Sequence, residues 1–259
     1  MRSLVIDSAQ LSHDALLKLI DGECLALRVR NFFDPALCQQ LTTRIMTYEG
    51  LRSFKYATNM DRFGPSLAEV AGSEDALGEY LATAVDEVAK FRRLCAPFLS
   101  PIDLLRLQLD EAWIAGANLA TVSARKAFTG VARILRDGGF TGPHQDALAS
   151  PHVDLSSFIA EQLAANIYLQ TSTHGGQLEL WDLHLEREEY QSIRSPGKVG
   201  ITREKLRACD VALKPEQGDL ILFRSTRLHA IREASGAPRV TCSSFIGYHS
   251  VNEPLVFYC

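Results

Sequence analysis

Thr141-Gly142-Pro143-His144-Gln145-Asp146 is the stretch on which the reading of this chain turns. An imidazole and a carboxylate separated by one residue at the end of a strand can address one metal ion. A distant histidine, His229, can complete the set from a later strand. Two histidines and one carboxylate occupy one face of an octahedral ion and leave the opposite face open, the donor set of oxygen-activating non-haem iron(II). The pattern His-x-Asp alone is weak in a chain of 259 residues; its setting gives it weight. The competing reading is an exposed turn whose two side chains hydrogen-bond locally.

The setting lies downstream and upstream. His229 follows the Gly218-Asp219 turn and its strand, Arg239 lies ten positions later, and Thr241 shares the face of Arg239 by the two-residue period of a strand. An arginine there can grip a carboxylate bidentately, and the hydroxyl can add one more hydrogen bond. This suits 2-oxoglutarate, whose keto-acid end chelates iron while its distal carboxylate meets Arg239 and Thr241; oxygen takes the remaining site. The alternatives are an arginine capping a sheet edge and an ordinary strand threonine. Arg133, on a strand face with Leu135, is either half of a buried ion pair or a carboxylate contact on the cofactor side. Asn166 and Tyr168 share one strand face and Ile167 and Leu169 the other, so one face lines a lumen. Tyr168 is accordingly either a 2-oxoglutarate contact or a satisfied core group. His13, His152, His174, His184 and His249 have no comparable context, and Trp181 reads as packing.

With 46% hydrophobic and 22% charged residues, the chain reads as a single globular domain over 1–259. A net charge of -4 without a basic run argues against nucleic acid and anionic membrane surfaces and for a small-molecule partner. No apolar stretch approaches the roughly 20 residues that span a bilayer. Six cysteines without CxxC pairs, and a start unlike a secretory signal, point to reduced thiols in a cytoplasm. The oligomeric state is not legible.

Periodicity divides the chain. Ser12 caps a helix to about Asp21, Cys24 to Arg30 alternates as a strand, and Asp34-Pro35 opens a second helix. Leu77, Tyr80, Leu81, Val85 and Val88 give a core stripe to a third helix, from Ser73 to about Phe91; a fourth follows Pro101. After about Ala117 the texture is short strands and turns: Val131–Leu135 ended by Asp137-Gly138-Gly139, then strands at 163–170, 177–181, 220–223, 228–232 and 239–248, with 254–258 as an edge. The expected class is α+β: a double-stranded β-helix, the cupin-like jelly roll, at about 117–259, in a helical jacket at about 1–116.

Through His144-Gln145-Asp146, His229 and Arg239-Val240-Thr241 the chain resembles the iron(II)/2-oxoglutarate-dependent oxygenases. It is similar in particular to the branch of aliphatic halogenases and hydroxylases acting on freestanding alkaloids and amino acids. The shared features there are Phe63-Gly64 before a helix, Arg133 eleven residues ahead of His144, Gly175-Gly176-Gln177-Leu178, and Pro215 through Leu220. The likeness runs from about residue 30 onward and is weak outside these motifs. It implies an Fe(II) enzyme that uses oxygen and 2-oxoglutarate, releases succinate and CO2, responds to ascorbate in vitro, and hydroxylates an unactivated C–H bond of a small biosynthetic molecule. A free amino acid or an amino-acid-derived metabolite fits. Halogenases of this branch replace the ligand carboxylate by a small residue to admit chloride, so Asp146 argues for hydroxylation. Desaturation, ring formation and a non-catalytic jelly-roll binder stay open as alternatives. The resemblance also assigns Thr141, Leu67 and Val70, with Ala68 and Ala71, to the substrate pocket; the alternative is a helix packed on the barrel. Residues about 186–200, with a Ser195-Pro196-Gly197 break, are either a lid or a surface insertion.

Overall fold

The computed structural model describes residues 4–55, 57–150, 152–194 and 200–259. Its principal strands are β1 (Val5–Ser8), β2 (Ala26–Val29), β3 (Thr58–Phe63), β4 (Val131–His144), β5 (Glu161–Gln170), β6 (Leu178–Leu180), β7 (Val211–Leu213), β8 (Leu220–Arg224), β9 (His229–Ser235), β10 (Arg239–Tyr248) and β11 (Leu255–Tyr258). The helices are α1 (His13–Ile20), α2 (Pro35–Met46), α3 (Leu67–Val70), α4 (Glu74–Cys95), α5 (Pro101–Ala112) and α6 (Arg187–Ile193).

Strand β4 joins two sheets. Its first part, Val131 to Leu135, pairs with β10, whereas Gly139, Thr141 and His144 pair with β9. The expected strand end at Asp137-Gly138-Gly139 is a bend instead. Gly138 has φ +70, and a Cβ on Gly139 would stand 2.7 Å from the Arg136 carbonyl oxygen, so glycine lets the chain turn without leaving the ladder. The strand order β1-β2-β8-β5-β10-β4-β9-β6-β7 thus forms a larger sheet up to β4 and a smaller one beyond it. This mixed sheet, nearly closed on itself, is the jelly roll.

The helices cover one face of the larger sheet. Ser12, Asp34, Ser73 and Ser100 accept from backbone N–H groups at the starts of α1, α2, α4 and α5, satisfying donors that have no partner within the helix. Leu16, Leu19, Leu41, Ile45, Leu105 and Leu109 pack against Ile134, Ile167, Leu169, Leu222 and Cys242. The opposite faces of the same strands send Ala164, Tyr168, Ile221 and Phe223 between the sheets, against Leu178 and Leu180. Those two faces of β5 are the two that its alternation predicts.

Several expectations are corrected. Val85 is 60% exposed, and Ala84 continues the buried row of α4, because seven-residue steps from Leu77 lead through Ala84 and Phe91. Strand β11 has neighbours on both sides, β10 and the parallel segment Ala117–Leu119, so it is not an edge. Residues before 117 add β1, β2 and β3 to the larger sheet; β3, directly before Gly64, has no alternation to announce it. Among the described residues of 183–210 the helical elements are α6 and a short 3-10 turn at Arg203–Lys205, and the Ser195-Pro196-Gly197 break falls outside the described residues. No helix among the described residues is long and apolar enough to cross a membrane.

Candidate active site

The register between β4 and β9 brings the two histidines together. His144 ends one strand, His229 begins its neighbour, and they are direct partners, with ring centroids 4.2 Å apart. Each ring is oriented by its own turn: Nδ1 of His144 lies 2.8 Å from the Gly142 carbonyl and Nδ1 of His229 lies 3.0 Å from the Arg227 carbonyl. A carbonyl only accepts, so Nδ1 carries a hydrogen in both rings and Nε2 is the nitrogen left to face a metal. Burial, followed by the neighbouring His144, lowers the His229 pKa to about 4 and holds this ligand neutral.

Asp146 lies just beyond the strand. Its backbone N–H donates to Ser225 O at 2.8 Å, which turns the carboxylate back toward both rings. The carboxylate oxygens stand 3.9 Å from His144 Nε2 and 3.6 Å from His229 Nε2. These gaps exceed hydrogen-bond length, and the three donor atoms all lie within 4.8 Å of one another, as ligands aimed at one shared ion do. Between the two ligands, Gln145 is held by a pair of bonds with Leu185, Nε2 to O at 2.7 Å and N to Oε1 at 3.0 Å. Two imidazoles with their Nδ1 atoms engaged and one carboxylate match iron(II).

A cavity of about 400 Å³ opens beside this group. Arg133 and Thr241 line it and share one rung with Tyr168, since Thr241 pairs with Arg133 on β4 and with Tyr168 on β5; Tyr168 itself is fully buried and does not line the cavity. Arg239 precedes Thr241 by two residues on the same face and is 4% exposed. Its Nη2 donates to Tyr168 Oη at 3.1 Å, its guanidinium covers the Tyr168 ring at 4.9 Å, and its buried Nε has no hydrogen-bond partner. Among the described residues no carboxylate oxygen lies within ion-pair distance of Arg239 or Arg133, and Asp146 and Cys259 act on Arg133 from further away. The Arg133 guanidinium lines the cavity, lies 5.8 Å from the Phe54 ring centroid, and has its pKa lowered by burial. A buried guanidinium and a half-buried one lining the same cavity suit an anion.

The substrate expectations fare unevenly. Thr141 lines the cavity, but its Oγ1 accepts from Ile231 N–H at 2.8 Å, which leaves its methyl group for a ligand. On α3 it is Ala68 that faces the cavity. Leu67 is core and borders an adjoining apolar space of about 160 Å³, and Val70 faces a separate polar cavity on the far side. The physical reason is the helical turn of about 100° per residue, which sets positions 68 and 70 on opposite sides. Sequence reasoning missed Phe54 and Met60, which come with the unannounced β3, and Tyr190 and Arg194, which also line the cavity. Tyr190 belongs to α6 and Arg194 caps its end in extended conformation, its backbone N–H donating to Tyr190 O at 3.0 Å. Gly200 closes the wall beside His144; with φ +83, a Cβ there would stand 2.3 Å from Pro143 O.

Comparison with known proteins agrees with this architecture. Residues 2–259 match the family model of the carrier-protein-independent halogenase WelO5. The L-gamma-glutamyl-L-propargylglycine hydroxylase of Streptantibioticus cattleyicolor is 26% identical over 266 residues, spanning 97% of this chain and 95% of that protein. An N-substituted L-amino acid dioxygenase from Burkholderia ambifaria AMMD, in complex with alpha-KG, superposes with a TM-score of 0.65 at 18% identity, covering 95% of this chain and 90% of its own. A second structure of that enzyme gives the same TM-score at 17% identity. At such identities the superpositions establish the fold. The chain belongs to the WelO5 family of carrier-protein-independent halogenases, within the iron(II)/2-oxoglutarate-dependent oxygenases.

Proposed function

We propose that this chain is an Fe(II)/2-oxoglutarate-dependent hydroxylase of a small, amino-acid-derived molecule. One observation carries the reading: a complete His144, Asp146, His229 set shares a cavity with a buried Arg239 that has no carboxylate partner among the described residues. The family takes its name from a halogenase, yet here Asp146 occupies the ligand position that a halide would need. Hydroxylation follows from that retention. The named activities of the relatives, on a glutamyl-propargylglycine and on N-substituted amino acids, support an amino-acid derivative as substrate.

His144, Asp146 and His229 would hold the iron, which with 2-oxoglutarate and oxygen supplies the oxidising power that puts one oxygen atom into a C–H bond and the other into succinate, releasing CO2. The protein contributes placement. Nδ1–H bonds to Gly142 and Arg227 carbonyls fix both rings, and the Gln145–Leu185 pair holds the turn between the first two ligands. Arg239 and Thr241 would receive the distal carboxylate of 2-oxoglutarate, with Tyr168 setting the guanidinium plane, and Arg133 would add a second positive group on the cofactor side. Phe54, Met60, Ala68 and Phe245 line the cavity with apolar surface and keep water from the reacting bond. Six free cysteines, five of them buried, suit a reducing cytoplasm.

The test is succinate formation by purified protein supplied with iron(II), ascorbate, oxygen and 2-oxoglutarate. Asp146→Ala is expected to abolish it while retaining the melting profile. Equal succinate from the variant would remove the carboxylate from the chemistry and the proposal with it.

A further inference from the structure

The turn between β8 and β9 holds the candidate metal set at more than one point. Three successive carbonyls of this turn accept hydrogen bonds: Ser225 O from the Asp146 N–H at 2.8 Å, Thr226 O from His184 Nδ1 at 2.9 Å, and Arg227 O from His229 Nδ1 at 3.0 Å. Two of the three members of the set thus take their direction from one short turn. The same turn docks the segment ahead of α6, because the Leu228 N–H donates to Leu183 O at 2.9 Å, and two residues on Leu185 holds Gln145. Turns at a surface are mobile unless side chains tie them down. Whatever ties down residues 225–228 therefore sets the angle between Asp146 and His229.

The anchor lies behind the turn, on the first residues of β5. Gln162 engages Ser225 twice: its carbonyl accepts from the Ser225 N–H at 2.9 Å, and its Nε2 donates to Ser225 Oγ at 2.7 Å. Its Oε1 accepts from the Tyr258 hydroxyl on β11. Ser225, Gln162 and Tyr258 are all buried, at 2% exposure or less. A second anchor is Glu161, whose Oε1 accepts from Thr226 Oγ1 at 2.6 Å and from the Gln162 N–H at 2.9 Å. Ladder pairing of β5 with β8 ends at Leu163 and Arg224, so these bonds carry the connection past the end of the ladder. For packing alone a leucine would serve at 162, since burying an amide costs free energy unless it is hydrogen-bonded. Here both ends of the amide are bonded, and a satisfied buried network has the directionality that apolar packing lacks.

Resting on the iron site proposed above, we infer that Gln162 is a positioning residue for the metal centre. Held by Tyr258, it locks Ser225 and with it the turn that aims Asp146 and His229; Thr226, bonded to Glu161, is a second and weaker lock. Neither Gln162 nor Thr226 supplies a donor atom to the metal set. Their effect is geometric. The three donor atoms lie within 4.8 Å of one another because the turn holds two of their residues from one side. With the lock removed the turn is free to shift, the donor atoms spread, and the ion is held less tightly.

The experiment titrates cobalt(II), a coloured stand-in for iron(II), into the full metal-free chain and reads its visible absorption, beside melting curves of the metal-free proteins. Wild type is expected to bind cobalt and Asp146→Ala to lose it. Gln162→Leu is expected to weaken cobalt binding about tenfold to a hundredfold, the range for losing a bond behind a metal ligand, and to alter the absorption. Thr226→Val, at a partly exposed position, is expected to weaken binding about two- to tenfold. Leu105→Ala opens the buried core beneath α5, away from the turn; it is expected to lower the melting temperature and leave cobalt affinity unchanged. Unchanged affinity in Gln162→Leu, or in Thr226→Val if the first variant does not fold, overturns the inference. So does a loss in Leu105→Ala equal to that in Gln162→Leu, since affinity would then merely follow stability. Wild-type protein that takes up no cobalt, or Asp146→Ala that keeps it, sinks the iron-site reading itself and the inference with it.

Discussion

Arginines at two places in this molecule meet opposite surroundings. Between β2 and β8, buried Arg28 donates from Nε to Asp219 at 2.8 Å; behind the smaller sheet, Arg203 and Arg232 share the buried Glu179 at 2.9 and 2.6 Å. In the cavity, Arg239 is as buried as Arg28 and has a tyrosine hydroxyl where Arg28 has a carboxylate. A guanidinium closed off by its own chain holds the fold together. One that is desolvated and left facing a cavity costs stability unless an anion arrives, so it marks where a ligand binds. The contrast turns burial, which is equal at Arg28 and Arg239, into a statement about function.

The contrast is broken most directly at Arg28. Arg28→Ala strands Asp219 inside the protein, and a loss of about 3–5 kcal/mol is expected in urea unfolding; a loss below about 1 kcal/mol, typical of surface pairs, would end the distinction. Next comes pH. The pKa of His229 falls from 6.5 to about 4 on folding, so unfolding frees it to take up a proton. Metal-free protein is therefore expected to lose stability as pH falls from 6.5 toward 4, by about 3 kcal/mol in all. In His229→Gln that part of the pH dependence should vanish, as read from melting curves at each pH.

On the cavity side, Arg239→Ala is expected to raise KM for 2-oxoglutarate about tenfold to a hundredfold, for a lost charge-assisted bond, with the melting temperature held or raised. A fall in stability like that of Arg28→Ala would show that Arg239 is structural after all. The smallest effect is expected for Tyr168→Phe. It deletes the hydroxyl at 3.1 Å and keeps the ring under the guanidinium, so KM should rise about two- to tenfold. No change would mean that the ring alone sets the plane.

Much of the fold was legible because its signals are local. Caps at Ser12, Asp34 and Ser73, the two faces of β5, and the strand starting at Arg239 all follow from residue chemistry and periods of two or 3.6. Thr58–Phe63 was not legible: its sequence does not alternate, and it is a strand because β4 lies beside it. The same dependence on a partner hid Phe54 and Met60 from the list of cavity residues and left Val70 in it.

The sequence by itself determined the chemistry: two histidines and an aspartate at strand ends, an arginine and a threonine two residues apart, and the retention of Asp146. These are matters of residue type and short spacing. Tertiary structure alone decided that His144 and His229, far apart in the chain, are partners across one ladder, that Arg133, Thr241 and Tyr168 form one rung, and that among the described residues Arg239 has no carboxylate partner. It alone brought Arg194 to the same cavity. The reason is physical: strand register and the absence of a charge partner are set by contacts between distant segments, which no local pattern encodes.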